Sequence, residues 1–127
     1  MPAYEVDGYD KLIAGMIQPI VTQSVIINTG QTAVIERGMV LARTGFSADG
    51  TWLCTPVNSA AAGAPDKVPV AVLADAEVDA RTAAQRATAY VQGEFNREAL
   101  KFGGADTIVT HEAALNNAKL YTKRVVK

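Results

Sequence analysis

Short runs of alternating apolar and polar residues, broken by turn signals, cover most of this chain. Val21, Val25 and Ile27 alternate with Thr22, Ser24 and Ile26, which predicts a half-buried strand rich in β-branched residues. Asn28-Thr29-Gly30-Gln31 reads as a turn. Arg37-Gly38-Met39-Val40-Leu41-Ala42-Arg43 is a second strand, and Ser47-Ala48-Asp49-Gly50 is a hairpin turn, because Asp-Gly accepts a left-handed backbone. Thr51-Trp52-Leu53-Cys54-Thr55 follows as a short strand that Pro56 ends. Residues 58–67 have the small, polar composition of a surface loop. Residues 68–74 are apolar on both faces and predict a central, buried strand.

The second half is less regular. Residues 75–87 fit a long loop, or one or two helical turns within residues 81–89. Strand character returns at Thr88-Ala89-Tyr90-Val91-Gln92. Asn96 can cap a single helical turn at residues 97–100, which Gly103-Gly104 stops. Thr110 can cap a second helix over residues 111–117, with Glu112 near the positive end of its dipole. Residues 119–126 read as a final strand.

Residues 1–19 break the pattern. Tyr4, Val6, Tyr9, Leu12, Ile13, Met16 and Ile17 are apolar, but Glu5, Asp7, Gly8, Asp10 and Gly15 interrupt any helical or strand period. Gly8 and Gly15 would each cost a helix about 1 kcal/mol relative to alanine. Pro19 biases Gln18 toward an extended shape. The segment reads as an extended arm with apolar anchors, ahead of one folded domain at residues 20–127.

Composition narrows the chemistry. A chain of 127 residues suits one domain with a single buried core. A net charge of −1 argues against direct nucleic-acid binding, which needs a basic face. No apolar run approaches the roughly 20 residues that span a bilayer, so no membrane partner is expected. The N-terminus lacks the basic and apolar regions of a signal peptide, and a cytoplasmic site of synthesis is expected.

Candidate reactive groups are few. Cys54 is the sole cysteine and His111 the sole histidine, with no local motif that makes them a nucleophile and base. Cys54 reads as a packed strand residue, and His111 as buried or bonded to Glu112. Asp75, Glu77 and Asp79 alternate like oxygen ligands, but the glycine and distal glutamate of a calcium loop are missing. Gly103-Gly104 lacks the lysine and Ser/Thr of a phosphate loop. Trp52 and the tyrosines fit core or interface packing better than a stacking platform. No catalytic residue, metal or cofactor is expected.

The ordered phrases Tyr9-Asp10-Lys11-Leu12-Ile13-Ala14-Gly15, Gly30-Gln31, Arg37-Gly38-Met39-Val40-Leu41, Val68-Pro69-Val70-Ala71-Val72-Leu73 and Ala89-Tyr90-Val91-Gln92-Gly93-Glu94-Phe95-Asn96-Arg97-Glu98-Ala99-Leu100 carry a resemblance. Taken together they resemble the phage head decoration protein family over most of the chain. The resemblance implies a mainly β fold, a compact β-barrel or β-clip-like single domain with one or two short helices and an extended N-terminal arm. It implies a non-enzymatic virion protein, bound as homotrimers at local three-fold positions on the outside of the expanded head. It implies the major capsid protein as partner, gripped by the arm, with the head stabilised against packaged DNA. Tyr4, Val6, Tyr9, Leu12, Ile13 and Gly15 are then the expected capsid-binding residues. Another virion component, in tail or neck, and a carbohydrate- or host-binding β module are the alternatives.

Overall fold

The computed structural model describes residues 12–15, 20–60 and 67–123. Its strands are β1 (Ile13–Gly15), β2 (Val21–Ile27), β3 (Ile35–Glu36), β4 (Val40–Phe46), β5 (Trp52–Pro56), β6 (Pro69–Leu73), β7 (Glu77–Val78) and β8 (Gln85–Asn96). Helix α1 (Ile108–Asn117) and strand β9 (Leu120–Lys123) complete the described chain. The fold is mainly β, as expected from the alternation and the resemblance.

Five strands close a barrel in the order β8-β2-β5-β4-β6, with β6 pairing back onto β8. Most pairs are antiparallel, but β2 and β5 run parallel. Period-2 alternation aims Val25, Ile27, Leu41, Cys54, Ala71, Leu73, Ala87 and Ala89 into one buried cluster. All five barrel strands contribute to it. The many alanines and one cysteine suit the narrow interior of so small a barrel. Ile35, Val78 and Ala80 join the same cluster from outside the barrel strands.

The other parity of β4 and β6 is buried as well. Val40, Ala42 and Val72 join Leu12, Val57, Phe95, Leu100, Leu115 and Leu120 in a second cluster beneath α1 and β9. This double cover explains why residues 68–74 are apolar on both faces. Val68 is the exception: it precedes β6 and is 53% exposed.

Several local expectations shift. Residues 81–89 contain no helical turn; β8 instead starts at Gln85 and pairs with β2 from Gln85↔Ile27 to Gln92↔Val21. Alternation of exposed Arg86 and Thr88 with buried Ala87 and Ala89 was legible, but alanine marks a buried face weakly. Residues 97–99 form a turn, not a helical turn. The Lys101 N–H donates to Gly38 O (2.9 Å) and its carbonyl accepts from Val40 N–H (2.8 Å), so the chain must return to β4 before a helix can close. Helix α1 begins one turn earlier than expected, with Thr107 at the cap, and Thr110 Oγ1 accepts the Thr107 N–H at 3.2 Å. The second strand starts at Val40, because Arg37 and Gly38 form a turn. Of the final strand, residues 124–126 lie outside the described residues.

Candidate functional site

Strand β8 is twelve residues long and serves two sheets. Its first part belongs to the barrel; its last four residues, Gly93 to Asn96, pair with β9 in parallel. The same end pairs antiparallel with β1, through Ile13↔Phe95 and Gly15↔Glu94. Gly93 lies where the two parts meet, and the Phe95 ring sits 3.2 Å from where a β-carbon would be. A side chain there would push the ring out of the second cluster.

The phrase Gly93-Glu94-Phe95-Asn96-Arg97 is thus a junction. The Asn96 N–H donates to Leu12 O at 2.7 Å, and Asn96 Oδ1 accepts the Glu98 N–H at 3.1 Å. Lys123 Nζ lies 2.6 Å from the buried Glu94 carboxylate. The Arg97 guanidinium grips Glu112 with two bonds, of 2.9 and 3.0 Å. Glu112 also accepts the Thr122 hydroxyl at 2.7 Å. Glu94, Phe95 and Asn96 therefore engage residues 12–15, while Glu94 and Arg97 clamp β9 and α1. Planar, two-pronged pairing of this kind fixes orientation as well as adding energy.

The sequence-predicted arm residues divide here. Tyr4, Val6 and Tyr9 lie outside the described residues. Leu12 is 1% exposed and packs in the second cluster. Ile13 is half-buried against that cluster and, with Gly15, forms β1. The apolar residues 12–13 are met inside the body, where Leu12 and Ile13 pack on the second cluster and β1 pairs with the end of β8.

The groups scanned for catalysis are placed apart. Cys54 is fully buried in the barrel, and burial pushes its thiol up to about 12. That is the reverse of an activated thiolate. His111 bonds Asp106, not Glu112: Nε2 lies 2.6 Å from Asp106 Oδ2. Consecutive helical residues diverge by about 100°, so His111 turns inward and stacks on Phe102 (5.5 Å) while Glu112 meets Arg97. Asp106 also accepts the Ser59 hydroxyl at 2.6 Å and the Ser59 N–H at 2.7 Å. The carboxylate sits between serine and histidine, so the histidine cannot take the serine proton as a triad requires. The cluster is a brace between residues 58–60 and α1.

That brace predicts a pH dependence. The bonds from Ser59 and then His111 hold the Asp106 carboxyl below its usual range. A lowered folded-state value stabilises the fold above the unfolded carboxylate value, near pH 4. That stabilisation drains as pH falls through the folded value. The difference in urea unfolding between wild type and Asp106→Asn should be clear at pH 7 and smaller at pH 3. Equal differences at both pH values would show that the charge is not what matters.

The acidic alternation forms no shared site. Asp79 pairs with Arg81 at 2.9 Å, which lowers its carboxyl to about 2, and Asp75 accepts the Thr88 N–H at 3.2 Å. Among the described residues no group of three His, Cys, Asp or Glu side chains is arranged to hold a metal ion.

One arrangement escaped the sequence reading. Arg43 lies 5.0 Å from the ring centres of both Phe46 and Trp52. Phe46 is 58% exposed. The three meet only because the hairpin register sets Phe46 against Trp52 across β4 and β5, which no local motif announces.

The family model of bacteriophage lambda head decoration protein D matches residues 9–120. No curated protein matches the chain with significance.

Proposed function

Because the chain belongs to the family of bacteriophage lambda head decoration protein D, structural components of the phage head, we propose that it cements the capsid shell. It binds as trimers at local three-fold positions on the outside of the expanded head. The arm ahead of Leu12 grips the major capsid protein, and the trimers hold neighbouring capsomers together against internal DNA pressure.

The observation that supports a tether is the anchorage of its root. Leu12 is buried at the junction and β1 is hydrogen-bonded to β8. Tension on the preceding residues would pass into the second core cluster and not into a loose loop. An extended arm can add to a sheet edge, with backbone bonds for affinity and apolar side chains such as Tyr4, Val6 and Tyr9 for pockets. Ordering an arm costs free energy. Three arms on one trimer offset this, since the second and third engage at high effective concentration.

The test removes the arm and spares its root. A chain lacking residues 1–10 keeps Leu12 and β1, so its thermal midpoint should stay within a few degrees of wild type. It should fail to co-sediment with expanded heads under conditions where the full chain saturates them. Normal decoration by the truncated chain would show that the arm is not the tether. Binding to tails in place of heads would favour the other virion reading. A glycan platform at Trp52 is disfavoured by Arg43, which already lies against that ring.

A further inference from the structure

We infer that the Arg43–Phe46–Trp52 patch is the contact by which one copy of this chain seats on the next, and that it receives the exposed carboxylate of Glu77. The inference rests on the trimer proposed above and assigns its surfaces. An arginine set against two aromatic rings and a carboxylate without a partner carry it.

The Arg43 guanidinium has two rings beside it but, among the described residues, no carboxylate. The acid of its own hairpin is engaged elsewhere. Asp49 accepts from Thr51 N–H (3.1 Å) and Thr51 Oγ1 (2.8 Å), bonds Ser47 Oγ, and reaches Arg86 at 3.3 Å. Phe46 meanwhile leaves more than half its surface in water. A half-buried arginine against two aromatic rings, one of them exposed, has the make-up of an interface anchor.

Glu77 is the complementary remainder. It is exposed on β7, and among the described residues its carboxylate has no hydrogen bond or ion pair. Arg86, which lines the same depression, is taken by Asp49, and Arg81 is taken by Asp79. Glu36, opposite Glu77 across β3 and β7, has Lys101 at 2.9 Å. Arg43 and Glu77 lie on different elements, β4 and β7. A contact between them joins unlike surfaces of two copies, which is the head-to-tail geometry that closes into rings. Complementary charge fixes the register, while Phe46 and Trp52 supply the apolar area.

The experiment exchanges the charges in the full chain. Sedimentation equilibrium would follow wild type, Arg43→Glu, Glu77→Arg and the double variant across a concentration series. Each single exchange should weaken association by at least about tenfold, and the double exchange should recover most of the loss. Phe46→Ser, at an exposed position that folding tolerates, should also weaken association. This keeps the test valid if Arg43→Glu alters the fold by circular dichroism. Wild-type association that neither Phe46→Ser nor the exchanges disturb would overturn the contact. So would a wild type that stays monomeric while Phe46→Ser decorates heads as well as wild type. Association that behaves as expected in a protein that never binds heads would instead overturn the decoration reading and leave the contact standing.

Discussion

Phe95→Ala should lower the unfolding free energy by about 3–5 kcal/mol, the range for deleting a buried aromatic ring. Phe95 is fully buried and is the largest side chain at the junction. Its ring packs with Leu12, Leu115 and Leu120, and lies 5.6 Å from the Tyr90 ring at a tilted angle. The cavity cannot collapse easily, because its walls are strands hydrogen-bonded on both sides of β8. The loss should appear as a lower urea midpoint with an unchanged slope. On the tether proposed above the consequence extends to function: β1 pairs with β8 at Phe95, so loosening the core loosens residues 12–15. Heads decorated with the variant should lose it faster on dilution. Val109→Ala is the comparison, since Val109 is 81% exposed and its truncation should cost less than about 0.5 kcal/mol. Equal effects at the two positions would refute the proposed architecture of the second cluster.

Gly38→Ala should be nearly as damaging, for a different reason. Gly38 has a φ of +94°, and a β-carbon would lie 2.9 Å from the Ala99 carbonyl oxygen. The left-handed backbone costs about 1–2 kcal/mol, and crowding against rigid backbone adds about 1–3 kcal/mol. The backbone cannot shift cheaply. The Gly38 N–H donates to Leu73 O (3.0 Å), and its carbonyl accepts from Lys101 N–H (2.9 Å). These bonds tie β4, β6 and the turn after β8 together. Gly45→Ala, where no atom lies within 4 Å and φ is ordinary, should be close to neutral. Thermal midpoints of the two variants should therefore separate by many degrees.

The contrast between these glycines shows where sequence reading reaches its limit. Gly38 and Gly45 both stand in β-rich stretches and look alike along the chain. What distinguishes them is Ala99, sixty-one positions further on. The same holds for Asn96, whose capping chemistry was legible. Its side chain does bond the Glu98 N–H, yet no helix follows, because Lys101 is claimed by β4. His111 was read as a helix-start residue beside Glu112, but helical geometry sends the two in different directions, to Asp106 and to Arg97. The arm's apolar residues were legible as a group. That Leu12 and Ile13 pack inside the body depends on the end of β8.

By itself the sequence determined the β class, the 47–50 hairpin turn, the doubly apolar strand β6 and the family. Those follow from period-2 alternation, turn residues and ordered phrases, all of which are short-range properties of the chain. Only the tertiary structure decided how five strands close a barrel, why β8 serves two sheets, and which charges pair with which. Those outcomes depend on register and on contacts between residues far apart in sequence. Such contacts leave no local trace, since the same dipeptide can be free in one setting and locked against a distant carbonyl in another.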